Sequence, residues 1–126
     1  MGTPHYTYKT VNNVEVVTHE RWCLKGQLHR TDGPAFQEWE VVDGRVVLIR
    51  ERWFLNGGHH RIDGPAYRRW EVIDGRVVLI REQWYLNGQL HRIDGPAYRE
   101  WKVVDGLVFS TVENWYNKGI FTPHRK

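Results

Sequence analysis

Residues Trp84–Ala97 read WYLNGQLHRIDGPA, and near-copies stand at Trp53–Ala66 (WFLNGGHHRIDGPA) and Trp22–Ala35 (WCLKGQLHRTDGPA). The tryptophans at 22, 53, 84 and 115 set an interval of 31 residues. Self-similarity at a fixed period of about 20–50 residues marks a repeat architecture, in which each unit is one supersecondary element stacked on the next. Counting back from Trp22 brings the N-terminus into the pattern: Gly2 aligns with Gly33, Tyr8 with Trp39, and Asn12-Asn13 with Asp43-Gly44. Units 2–32, 33–63, 64–94 and 95–125 then account for the chain, which reads as a single repeat domain over 1–126. In the last unit Thr122-Pro123-His124 replaces Leu-His-Arg, the kind of atypical end that caps an array.

Within one unit the local signals are all of strands and tight turns. Asp74-Gly75 and Asn87-Gly88 are type I′ turn dipeptides between β-branched and aromatic runs. They bracket one strand over 76–86, preceded by another over 66–73. No apolar period of 3.6 competes, and Gly and Pro recur too often for helices of ordinary length. The expected fold is all-β: an antiparallel meander of four 31-residue repeats, with about eight long strands in a strongly twisted or curled sheet.

The odd period carries a further inference. Two-residue hairpins return each face after an even number of residues, so a repeat of 31 turns inside out unless one residue per unit leaves the register. Asp94-Gly95-Pro96, with its copies at 32–34 and 63–65, is the expected place, Gly supplying a positive φ and Pro withholding a ladder donor. Its Asp then reads as a turn-capping residue.

Simple pairing across both turns puts Val72, Val77, Trp70, Leu79, Arg68, Arg81, Arg92 and Tyr85 on one face. The other face takes Glu71, Val78, Arg69, Ile80, Tyr67, Glu82, Trp84 and His91. Both carry aromatic and aliphatic residues, so the sheet is expected to curl on itself or to be covered by a partner, a second copy serving as well as another protein. Translated through the repeats, the first face lines up arginines beside aromatic rings. The partner- or anion-binding candidates are therefore Arg50, Arg52, Arg61, Arg68, Arg81, Arg92, Trp70 and Tyr85, since guanidinium forks and ring faces recognise carboxylates and phosphates. The plainer reading pairs these arginines with neighbouring glutamates and lays their stems over rings.

Composition narrows the function classes. The 126 residues are 40% hydrophobic and 26% charged, with seven Trp and six Tyr, enough aromatic mass for a core. A formal charge of +3 and a pI near 9.2 fit an acidic partner without the basic tail of a nucleic-acid binder. The one cysteine, Cys23, excludes an internal disulfide framework and reads as core. Neither a leader's apolar segment nor a membrane-length apolar run is present, and the expected location is cytoplasmic, with no membrane partner.

No P-loop, GxGxxG after a strand, HExxH or CxxC pair occurs. The His-Arg pairs at 29–30, 60–61 and 91–92 invite a catalytic or metal reading. Successive copies two strands apart are separated by nearly 10 Å of backbone, at ~4.8 Å per strand, too far for one shared metal. His91 is expected to stack against Trp84 instead. The chain reads as no enzyme, with neither metal nor cofactor.

At the residues W-Y-L-N-G-Q-L-H-R-I-D-G-P-A the chain resembles the variant branch of the MORN-repeat family, which includes YwqK-type antitoxin-like proteins. It departs from that family in having His-Arg where His-Gly is usual, and in its longer unit. The resemblance implies an antiparallel hairpin array used for protein contacts and self-association. The expected function is a non-catalytic binding protein that occludes or sequesters a protein partner, in the manner of an antitoxin or a phage-encoded inhibitor of a bacterial defence protein. The alternative is a nucleotide or nucleic-acid binder using the arginine row with stacking aromatics.

Overall fold

A computed structural model describes residues 2–123, and every regular element among them is a strand. Four long antiparallel hairpins form the main sheet. They are β1 (Thr3–Val11) with β2 (Val14–Leu24), β4 (Phe36–Val42) with β5 (Arg45–Arg52), β8 (Tyr67–Ile73) with β9 (Arg76–Gln83), and β12 (Tyr98–Val104) with β13 (Leu107–Asn114). Short hairpins follow each long one. The end of β2 pairs with β3 (Gln27–Leu28), β6 (Phe54–Leu55) with β7 (Gly58–His59), β10 (Tyr85–Leu86) with β11 (Gln89–Leu90), and β14 (Tyr116–Asn117) with β15 (Ile120–Phe121). Among the described residues all eight two-residue turns have positive φ at both positions, from 48° at Lys118 to 52° at Lys25 at the first and from 65° at Asn13 to 82° at Gly119 at the second. This is the type I′ geometry whose twist matches that of the flanking strands.

The order β1-β2-β4-β5-β8-β9-β12-β13 is a meander, as expected. It stays open: β1 and β13 stand at opposite ends, so the expected strong curl is not present. Neighbouring long hairpins share only three residue pairs, at the base. These join 19–21 to 36–38, 50–52 to 67–69, and 81–83 to 98–100. Beyond that seam, Arg45 and Arg76 bridge the tips by donating to the carbonyls of Gly75 and Gly106, at 3.5 and 2.9 Å. The chain exposes 8247 Å², against about 7,100 Å² for a compact monomer of this mass. Its buried apolar residues are few: Ala35, Val47, Phe54, Ala66, Tyr67, Val78 and Ala97. Cys23, expected in the core, is partly exposed.

One residue per long hairpin does leave the register, but not at Asp-Gly-Pro. The slips fall between Thr7 and Tyr8, Glu38 and Trp39, Arg69 and Trp70, and Glu100 and Trp101, each opposite one extra residue of the second strand: Thr18, Ile49, Ile80 or Thr111. Trp70 faces Leu79 while Arg69 faces Arg81, so Ile80 is the bulged residue. The bulge therefore absorbs the odd residue inside the hairpin, and each face persists from one hairpin to the next.

The Trp-to-Ala cassette explains itself by contacts. Trp84 N–H bonds the Ala97 carbonyl at 2.7 Å and His91 N–H bonds the Trp84 carbonyl at 3.0 Å. The strand expected over 76–86 is thereby broken at Trp84, where the chain leaves the main sheet. The Arg92 guanidinium lies 4.0 Å from the Trp84 ring centroid, and donates to Asp94 at 3.2 Å and to the Pro96 carbonyl at 3.2 Å. Arg30 and Arg61 repeat the arrangement on Trp22 and Trp53. The glycine between Asp and Pro has no positive φ in any copy. It is there for space: a Cβ on Gly95 would lie 2.6 Å from Arg92 Cζ. Asp94 is thus a guanidinium partner.

The cassette histidines have a different role from the one expected. His29, His60 and His91 each accept, through Nδ1, the backbone N–H of Asn56, Asn87 and Lys118 in the next short hairpin, at 2.9–3.0 Å. The tryptophan partner is the neighbouring arginine. Backbone bonds from Gly57, Gly88 and Gly119 to the carbonyls of Leu28, His59 and Leu90 add to the same latch.

Candidate binding face

Alternation along the strands, corrected for the bulges, sorts the side chains into two faces. One carries Trp39 with Leu48 and Trp70 with Leu79, then the valine pairs 41 with 46 and 72 with 77 toward the tips. Nearer the base the same face has a row in which acid and base alternate across neighbouring strands: Glu51, Arg68, Glu82, Arg99 and Glu113. Glu51, only 6% exposed, accepts from Arg68 Nε at 2.7 Å, and Arg99 pairs with Glu113 at 2.9 Å. Arg68 is therefore a structural ion-pair partner, on the opposite face from Arg81. The expected Arg68–Arg81 pairing fails because the Ile80 bulge moves Arg81 over.

The other face holds the arginine cluster. Across adjacent strands run His19, Glu38, Arg50, Arg69, Arg81 and Glu100 in direct register. Glu38 lies 3.3 Å from Arg50 and 3.6 Å from His19, and Glu100 lies 3.7 Å from Arg81. Arg69, expected on the opposite face from Arg81, sits between Arg50 and Arg81. Its carboxylate contact is Glu71, along its own strand, at 3.8 Å.

Below this row a second one contains Phe36, Arg52, Tyr67, Gln83 and Tyr98. The Arg52 guanidinium is 5.5 Å from the Phe36 ring and 5.3 Å from the Tyr67 ring, the separation of a cation–π contact. Arg52, His59, Tyr67, Arg81, Gln83 and Tyr85 line a cleft of about 230 Å³. In it the His59 ring stacks on Tyr85 at 4.7 Å, and Gln83 donates to the Tyr85 hydroxyl at 2.7 Å. Burial, and then the positive charge of Arg52, hold the His59 imidazole below its ordinary range. Burial raises the Tyr85 phenol, and burial with the Tyr98–Glu100 hydrogen bond raises that of Tyr98. The Nε atoms of Arg50, Arg52 and Arg81 are buried without a hydrogen-bond acceptor.

No family model, curated protein or solved structure matches the chain.

Of the residues singled out from sequence, Arg50, Arg52, Arg81 and Tyr85 come together on this face. Arg68 and Trp70 lie on the other. Arg61 and Arg92 are held in their cassettes on Trp53 and Trp84, away from the row. Arg69 was missed, although one signal could have found it: the residue before each of Trp39, Trp70 and Trp101 is Glu, Arg and Glu. Between cassettes lie clefts of about 430 and 500 Å³, with Ile62 and Ile93 on their walls. These isoleucines are 82% and 85% exposed, unusual for so apolar a side chain.

Proposed function

We propose that the chain is a non-catalytic binding protein of four 31-residue MORN-like units that occludes or sequesters a protein partner, as an antitoxin or an inhibitor does. The observation that carries this reading is the open main sheet with apolar residues left exposed on it. The tips of its tryptophan face leave Val46, Val77 and Val108 about half exposed, and the cassette row presents Ile62 and Ile93 to solvent. Exposed apolar surface interrupted by polar rims is what protein interfaces are made from. The non-catalytic part rests on how the recurrent polar groups are used. Each cassette histidine spends Nδ1 on a backbone N–H, and each cassette arginine is committed to Trp, Asp and a carbonyl.

The aromatic rings argue for protein over nucleotide. The faces of Phe36 and Tyr67 are taken by Arg52, His59 and Tyr85 stack on each other, and Tyr67 is 8% exposed. Base recognition by stacking needs free ring faces. The test is size-exclusion chromatography of the chain mixed with lysate of its native host. A discrete host protein should co-elute at fixed stoichiometry and lose activity on titration with the chain. If no host protein co-elutes, the reading fails.

A further inference from the structure

Among the three hairpins that carry a tryptophan at the slip, the repetition is broken near the centre of the sheet. Glu38 and Glu100 occupy the position before the hairpin tryptophan, and each faces a basic residue across at least one strand boundary. Arg69 occupies that position in the third hairpin, between the two that carry Glu38 and Glu100. It faces Arg81 within its hairpin and Arg50 across the seam. Like charges directly opposite one another destabilise a sheet, so this column is less favourable than its neighbours. Three guanidinium groups, each with five donors, share Glu38, Glu71 and Glu100 at 3.3–3.8 Å, while Arg52 beneath them faces aromatic rings.

We propose that Arg50, Arg69 and Arg81, with Arg52 below them, dock an acidic segment of the partner protein that presents at least two carboxylates to the row. This rests on the protein-occlusion reading above and names the chemistry of the partner. The sign of the charge follows from the column of like charges: Glu38, Glu71 and Glu100 reach it with one oxygen each at 3.3–3.8 Å, and a further anion adds acceptors for the remaining guanidinium donors. The kind of anion follows from its extent. Three strands span about 10 Å between the outer backbones, and Glu38 and Glu100 close the strip at either end. Two or three side-chain carboxylates fill such a strip through forked hydrogen bonds, whereas nucleic-acid affinity comes from neutralising a longer run of phosphates. The row is partly open to solvent: Arg50, Arg69 and Arg81 keep side-chain exposures of 28%, 38% and 36%.

The test separates ligand recognition from architecture. Hexaglutamate is titrated into the folded chain by calorimetry, with hexaglutamine and a hexathymidylate oligonucleotide as comparison probes. Wild type should bind hexaglutamate and not hexaglutamine. Arg69→Glu should weaken hexaglutamate at least tenfold while its urea-unfolding midpoint equals or exceeds that of wild type, because the change restores the pattern of the neighbouring hairpins. Arg69→Gln should fall between the two in affinity. Unchanged binding in Arg69→Glu, a lower unfolding midpoint in that variant, or tighter binding of the oligonucleotide than of hexaglutamate would each overturn the proposal. A host protein that co-elutes equally with wild type and Arg69→Glu also overturns it, while leaving the occlusion reading intact. Hexaglutamate binding without any co-eluting host protein supports the site and defeats that reading instead.

Discussion

Substituting Gly95 by Ala tests whether space for a guanidinium, and not backbone freedom, fixes the glycine of Asp-Gly-Pro. Gly95 has no positive φ, so alanine is compatible with its backbone. Its Cβ would stand 2.6 Å from Arg92 Cζ and 2.8 and 2.9 Å from two guanidinium nitrogens, where ordinary carbon contacts are about 3.5–4.0 Å. The guanidinium must move about 1 Å, and it is tied by Trp84 at 4.0 Å, Asp94 at 3.2 Å and the Pro96 carbonyl at 3.2 Å. Losing a partly exposed cation–π contact costs about 0.5–2 kcal/mol, and losing a charged hydrogen bond to the part-buried carbonyl about 1.5 kcal/mol. Asp94 is 84% exposed, so its ion pair adds little. Against this, Gly→Ala stabilises by about 0.4–1 kcal/mol through the unfolded chain. The net expectation is a loss of about 1–3 kcal/mol, measured by equilibrium urea unfolding. In an Arg92→Ala background the same substitution should be neutral or slightly stabilising, so the double-mutant cycle should show a coupling of about 2 kcal/mol. Gly33→Ala, whose nearest guanidinium contact is 3.0 Å, should cost less than Gly95→Ala. Equal costs with and without the Arg92 side chain would refute the reasoning.

Two further outcomes follow from the latch and the cleft. His60→Phe keeps the ring and removes the acceptor for Asn87 N–H. That bond is exposed to solvent, so the cost should be only about 0.5–1.5 kcal/mol. The specific sign is faster hydrogen exchange at the Asn87 amide, with Gly88, bonded to the His59 carbonyl, less affected. For His59, the folded chain disfavours protonation while the unfolded chain titrates near ~6.5. As pH falls through that value the unfolded state takes up a proton the folded state resists, so stability present above pH ~6.5 is lost toward the depressed folded-state pKa. His59→Leu, the residue found at the equivalent positions Leu28 and Leu90, should flatten the decline in unfolding midpoint between pH 7 and 5. An unchanged slope would show that other groups carry the pH dependence.

Much of the fold was legible because its turns are written in residue types that tolerate positive φ. Asn-Gly and Asp-Gly located five of the tight turns, at 43–44, 56–57, 74–75, 87–88 and 105–106, and the interval of 31 assigned Asn12-Asn13 to the same role. The requirement for one out-of-register residue was also readable, as arithmetic on an odd period. Its location was not. Asp-Gly-Pro carries conspicuous punctuation, whereas the true bulges fall on Thr18, Ile49, Ile80 and Thr111, ordinary strand formers with no local mark. The glycine misled for a physical reason: glycine signals either a left-handed backbone or a missing Cβ, and only the fold shows Arg92 lying where that Cβ would be.

The error in placing the bulge passed directly into the site. A slip assigned to Asp-Gly-Pro keeps Arg68 and Arg81 on one face, whereas a slip at Ile80 exchanges Arg68 for Arg69 beside Arg81. That exchange separates an arginine neutralised by Glu51 from one whose cross-strand neighbours are both arginines. In an array built from near-copies, a residue repeated in register is explained by the seam it makes with its neighbours, as the Trp, His and Arg of the cassette are. Selection for architecture alone would favour at position 69 the Glu of the two neighbouring hairpins, because it would face Arg50 and Arg81 with opposite charge. The third hairpin abandons the choice of its two neighbours where its arginines are partly open to solvent, and for that reason the proposed binding site is placed at this departure from the repeat and not at the repeat itself.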